Sequence, residues 1–197
     1  MGKINSGRYT SKKEVITNTA ASLFILKGFK GSSMRDLAES IGVEAPSLYN
    51  HITSKSAILQ EICFKVANLF TMNLDKVDTE DSSLLQKMEK ILRFHIRMMV
   101  EEFEIVHISD HEWKHLSEPY LSNFKNQRKN YRARLARIVQ EGINTKEIIA
   151  LNPYVTVLTM LSAVGGIEVW HRSPKTVNAT TIEENMVSIF IRGIQLK

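Results

Sequence analysis

Between Ser33 and Lys55 the chain reads SMRDLAESIGVEAPSLYNHITSK, and this stretch restricts the possible fold more than any other. Leu37, Ala38 and Ile41 fall at helical spacing and are followed by Gly42, the residue best able to enter the left-handed backbone region that ends a helix sharply. Pro46 then stands where the first turn of a second helix needs no amide donor. Leu48 and Ile52, four apart, share the inward face of that helix and turn Ala45, Ser47, Tyr49 and Asn50 outward. Two short helices joined by a tight turn, the second apolar behind and polar in front, form the arrangement that lays one helix in a DNA groove.

The remaining sequence is equally helical in its spacing, so the expectation is an all-α protein of about nine helices. Their expected spans are 11–27, 34–41, 45–51, 55–75, 82–103, 105–116, 119–142, 153–171 and 181–195. Ser11 with Glu14, Ser33 with Asp36 and Thr181 with Glu184 have the capping-box spacing, in which hydroxyl and carboxylate each satisfy an orphan amide. Glu118-Pro119 and Asn152-Pro153 place proline at helix starts. Tyr154 to Trp170 is apolar, but it is shorter than a membrane-spanning helix and interrupted by Thr156, Ser162, Gly165, Gly166 and Glu168. It is expected to face the core or a second subunit rather than a membrane.

Charge is uneven along the chain. The net charge is +5, and the first 60 residues hold Lys3, Arg8, Lys12, Lys13, Lys27, Lys30, Arg35 and Lys55 against only Glu14, Asp36, Glu39 and Glu44. A basic leading module followed by a nearly neutral remainder suits a first part that meets a polyanion. Lys3 and Arg8 lie in a segment, Gly2 to Thr10, that could reach a phosphate or minor groove. The single cysteine, Cys63, lies among apolar residues and leaves no intramolecular disulfide, which points to a reduced, cytoplasmic setting. The first thirty residues lack the apolar core of a secretion signal.

His111-Glu-Trp-Lys-His115 matches the H-E-x-x-H pattern of zinc hydrolases, with Glu112 in the place of the water-activating carboxylate. Such an enzyme also needs a third ligand, and no third-ligand motif follows, so the metal-dependent hydrolase stands only as an alternative. A different metal reading has His107, His111 and His115, spaced by four, offering imidazoles from one helix face. Three histidines making separate hydrogen bonds is the plainer reading, and no cofactor is expected.

Gly42 to His51 followed by Ser54-Lys55, together with Ala20, Ala21, Phe24, Gly28 and Phe29, resembles the DNA-binding domain of the TetR family of bacterial transcriptional regulators. The resemblance is specific over about residues 10–62. It implies a three-helix DNA-binding domain over 1–55 with its N-terminal arm, and a helical ligand-binding and dimerisation domain over 56–197. By matched position, Arg35, Ala45 and Pro46 face base edges, while Ser47, Tyr49, His51 and Lys55 meet phosphates. Ala45 is too short for a direct polar base contact, and Asn50 is the residue to replace it. The implied protein is a homodimer that binds double-stranded operator DNA, responds to a small molecule, acts as a repressor and catalyses nothing.

The effector chamber is expected among the middle helices, from Phe94, Met98, Phe103, His107, Trp113, Tyr131 and Trp170, although such stripes are more often ordinary core. No acidic residue occurs between Glu118 and Glu141, and Lys125, Arg128, Lys129 and Arg132 share one helix face, which is either a solvated face or a seat for an acidic headgroup. The run from Glu112 to Leu116, this basic helix, and Trp170-His171-Arg172 resemble family members that sense acyl-CoA thioesters from fatty-acid, aromatic-acid or steroid breakdown. Val157, Leu161, Val164, Val187, Phe190, Ile191 and Ile194 are the expected dimer surface, shared with the intrachain core.

Overall fold

The computed structural model describes residues 12–173 and 177–196, so Lys3, Arg8 and the Ser11 cap lie outside the described residues. Ten α-helices and one 3-10 turn are seen among them, with no strand beyond a single bridge. The nine expected helices are all present, one of them divided at Gly165 and Gly166.

The N-terminal head is built from α1 (Lys12–Gly31), α2 (Met34–Ile41) and α3 (Ala45–Tyr49). Ile16, Ala20, Leu23 and Phe24 form one stripe of α1 and are buried, and Phe24 meets Phe29 edge to face at 5.3 Å. The helix bends at Gly28 (φ 73°) and continues four residues past the expected end. Ser33 and Asp36 cap α2 reciprocally as the spacing predicts. Gly42 closes it at φ 76°, and the amides of Gly42 and Val43 return to the Glu39 and Ala38 carbonyls at 3.1 and 3.0 Å. A side chain with a Cβ is strained at that backbone angle, so Gly42 sets the sharp turn into α3.

The body follows with α4 (Lys55–Asp78), α5 (Leu84–Glu101), α6 (Phe103–His111), a 3-10 turn (Trp113–His115), α7 (Tyr120–Asn144), α8 (Pro153–Gly165), α9 (Ile167–Arg172) and α10 (Ala179–Ile194). The long helix α4 is the spine: it packs on α1 toward the head and on α5, α6 and α7 toward the body, burying Ile58, Leu59, Ile62, Cys63 and Val66. Burial pushes the Cys63 thiol up to about 12, so it behaves as a small apolar group. On α7, Gly142 gives Ile148 room, since a Cβ there would lie 2.6 Å from its Cδ1. That close approach lets Ile148 bridge to Gln195 and fix the C-terminal end. Arg93 ties α5 to α10 through Glu183 and Glu184 at 3.0 and 2.8 Å.

Two expected starts shift. Asn178, not Thr181, caps α10, its carboxamide oxygen accepting from the Thr181 amide at 2.8 Å. Ser83 and Gln86 form a capping box at the head of α5. The expected dimer residues also divide: Val157, Val164, Val187, Ile191 and Ile194 are buried in the core, because the α8 and α10 stripes that hold them face α5 and α7. The outward apolar residues are Val155, Leu158, Val169 and Ile189, the last 77 % exposed. By length and composition Pro153–Arg172 is the one described stretch that could cross a membrane, yet it is broken at Gly166 and carries Glu168, paired with Arg172.

Candidate functional site

The head presents a compact polar surface. Leu48 and Ile52 are buried beneath α3, which leaves Pro46, Ser47, Tyr49, Asn50 and His51 exposed on one side, with Arg35 exposed on α2. Tyr49 is 53 % exposed despite its large ring, an arrangement without a packing reason. Ala45 is half-buried and packs against the core, because the first turn of α3 abuts α2. Asp36, with Lys27 donating to it at 2.6 Å and Ser33 also bonded, is held down to about 2 and stays ionised at the first turn of α2.

Lys55, expected at a phosphate, makes contacts within the head. Its ammonium donates to the carbonyls of Phe29 and Ser32, the latter at 2.6 Å, and lies 4.5 Å over the Phe29 ring. Phe29 lies in the last turn of α1 and Ser32 just beyond it, where carbonyls lack helical partners, and a cation at a helix C-terminus satisfies them. Lys55 thus ties the start of α4 to the end of α1 within the head.

In the body, α4, α5, α6, α7 and α8 enclose a cavity of about 280 Å³. Its wall is mainly apolar, with Val66, Phe70, Met99, Val106, Phe124 and Leu161. One polar pair is set into it: His95 Nε2 and the Tyr131 hydroxyl are 2.7 Å apart, with the Phe70 ring stacked on the imidazole at 4.2 Å. Burial lowers His95 to about 3 and raises the Tyr131 phenol, so both are neutral near pH 7. Arg128 and Arg132 supply the positive side of the wall, Arg128 already paired with Asp110 of α6 at 2.8 Å and lying 5.6 Å from the Phe124 ring.

Of the nine expected chamber residues, Arg128, Tyr131 and Arg132 line this cavity. The other six do not. Phe94 stands behind the wall, edge-on to Phe70 at 5.8 Å; Met98 is buried beside Met99, which takes the lining position. Phe103 stacks on His171 at 4.1 Å beside a separate cleft rich in glutamate. Trp113 packs behind Phe124, and the Trp170 indole donates to the Val177 carbonyl at 2.8 Å. His107 turns toward α9. The lining residues that composition did not suggest, among them Thr71, Ser109, Gln127 and Ser162, are small or polar and carry no marker in sequence.

The histidine triplet also rearranges. The α-helix stops at His111 and a 3-10 turn follows, so His115 is displaced from the line of His107 and His111. It stacks on Phe29 at 5.5 Å, and its Nε2 lies 3.3 Å from Glu112. Glu112 therefore pairs with His115, and His111 and His115 are not set one α-helical turn apart as the H-E-x-x-H pattern supposes. Glu168 of α9 meets His107 and His111 in its place. Burial, reinforced by the neighbouring His111, lowers His107 and keeps its ring neutral near pH 7.

Residues 16–62 match the family model for bacterial regulatory proteins of the tetR family, and residues 81–194 match that for the tetracyclin repressor-like C-terminal domain. The HTH-type transcriptional repressor KstR2 of Mycobacterium tuberculosis is 21% identical over 96% of each chain. KstR2 of Mycolicibacterium smegmatis is 25% identical over 68% of this chain and 65% of that protein. The solved structure of the ketosteroid transcriptional regulator KstR2 of M. tuberculosis superposes with a TM-score of 0.87 at 18% identity, covering 98% of this chain and 99% of the other. AibR in complex with isovaleryl coenzyme A and operator DNA gives 0.79 at 23% identity, over 91% and 97%.

Proposed function

The chain belongs to the TetR family of bacterial regulatory proteins, and from that premise we propose a homodimeric cytoplasmic repressor released from its operator by an acyl-CoA thioester. The observation that carries the reading is α4, one continuous helix serving both parts. Its first residue, Lys55, holds the end of α1 in the head, and its middle residues Val66, Ala67, Phe70 and Thr71 line the cavity. A ligand that shifts α4 therefore acts on the head, and two heads moved apart fit two half-sites less well. We place the domain division at the start of α4, with 1–55 as DNA-binding and 56–197 as ligand-binding and dimerisation.

On the operator, Arg35, Pro46 and Asn50 address base edges, and Ser47, Tyr49 and His51 address phosphates. The exposed apolar residues Val155, Leu158, Val169 and Ile189 form the face that a second copy covers. In the cavity an acyl group occupies the apolar wall, and the phosphate-bearing part of the thioester meets Arg128 and Arg132 at its edge. That anion competes with Asp110 for Arg128, freeing the last turn of α6, which packs on α1. The supporting resemblance is to KstR2, named a ketosteroid transcriptional regulator, and to AibR, solved in complex with isovaleryl coenzyme A and operator DNA. A panel of acyl-CoAs tests the reading: a true effector raises the melting temperature and lowers operator affinity, whereas no thermal shift with any thioester contradicts it.

A further inference from the structure

We propose that His107, His111 and Glu168 form a binding site for a first-row divalent transition ion, zinc being the simplest probe, that bridges α6 and α9 beside the effector cavity. The inference goes beyond the regulatory reading and does not depend on any thioester. His107 and His111 stand one turn apart on α6 with ring centroids 4.3 Å apart. Glu168, in the first turn of α9, brings Oε2 to 3.4 Å from His107 Nδ1 and 3.1 Å from His111 Nε2. One donor atom from each residue lies within 4.8 Å of the others, the only such group of histidine, cysteine and acid residues among those described. Tetrahedral zinc spaces its donors about 3.3 Å apart, given metal–nitrogen bonds near 2.0–2.1 Å, so side-chain rotation alone closes the site.

Two imidazoles and one carboxylate suit zinc, iron, cobalt or nickel, and three protein ligands leave a position for water or a further ligand. His107 Nδ1 is buried and makes no well-directed hydrogen bond, although Glu168 is within ion-pairing distance, so an orphaned nitrogen points into the group. The inner end is walled, with the His107 and Glu168 side chains 11 % and 20 % exposed, while His111 at 54 % gives an ion access from solvent. Arg172 engages the other carboxylate oxygen, Oε1, which leaves Oε2 to the imidazoles. Its cationic charge opposes metal binding, but Arg172 is mostly exposed and therefore screened. A metal here would clamp α6, whose Glu104 accepts a hydrogen bond from Ser22 of α1 at 2.6 Å, against α9.

The test uses full-length, untagged protein stripped with chelator and titrated with zinc by calorimetry, with metal counted after gel filtration. One zinc per chain is expected. His111→Gln, at the exposed imidazole, and Glu168→Gln should each weaken binding by at least roughly tenfold while circular dichroism is unchanged, and His115→Gln should bind as the parent does. Cobalt gives a readout without variants, since a four-coordinate site absorbs strongly in the visible. Failure to retain zinc, equal binding by His111→Gln and Glu168→Gln, or an octahedral cobalt spectrum would overturn the proposal.

Discussion

The head and the body differ in how far apart in sequence their working residues lie. The head's surface comes from one run of about twenty residues, in which helix period decides inside from outside: Leu48 is buried and its neighbour Tyr49 exposed. The body's cavity is assembled from five helices spread over about a hundred residues, and whether a side chain reaches it depends on how each helix is rotated. Local pattern thus specifies the first, and packing angles specify the second.

The sharpest break in that contrast is the adjacent pair in α3. Leu48→Ala should cost about 2–5 kcal/mol of folding stability by leaving a void in the head. Tyr49→Ala should change stability by no more than about 0.5 kcal/mol yet lose operator binding. Denaturant melts and fluorescence anisotropy separate the two, and equal stability losses would mean that Tyr49 belongs to the core.

Filling the cavity probes the other side. Ala67→Leu places bulk in the apolar space and should abolish a ligand-induced stabilisation that reaches about 2.7 kcal/mol at a hundredfold excess over Kd, while operator binding is kept. A third effect separates the regions by pH. Unfolded, His95 protonates near its ordinary value of 6.5; folded, it stays neutral down to about 3. The unfolded chain therefore takes up the proton first, and this stabilisation is lost as pH falls from about 6.5 toward 3, by on the order of 1–2 kcal/mol at pH 5. Thermal melts across that range should show the loss, and the double change His95→Phe with Tyr131→Phe should reduce it.

The smallest effect concerns Lys55, expected from sequence at a phosphate and bonded in the structure to the end of α1. Lys55→Gln should cost about 1 kcal/mol through lost carbonyl contacts and leave the salt dependence of operator binding unchanged. A phosphate contact would instead leave stability intact and reduce the logarithmic salt slope by roughly 1.

These cases show which features are legible in sequence. Ser33, Gly42, Pro46 and Leu48 each act on their immediate neighbours, so the order, caps and exposed face of α2 and α3 follow from spacing. The intrachain contacts of Lys55 are not legible, because its partners, Phe29 and Ser32, lie more than twenty residues back, just after the bend at Gly28. His115 leaves the line of His107 and His111 because α6 gives way to 3-10 winding after His111, which no residue type announces. Aromatic residues drew attention to the chamber, yet Trp113, Trp170 and Phe94 support it from behind or outside. The cavity depends on small and polar positions such as Ala67, Ser109 and Gly165, whose role is the space they leave.

On the proposed function, energetic coupling joins the cavity and the head through the helices they share. It is tested most directly by measuring the affinity of the full-length protein for a duplex selected from random DNA, with and without each thioester that raises its melting temperature. Coupling predicts at least about a fivefold weakening with the thioester present, and a matching loss of thioester affinity on the operator complex. A thioester that stabilises the protein while leaving operator affinity unchanged would contradict it.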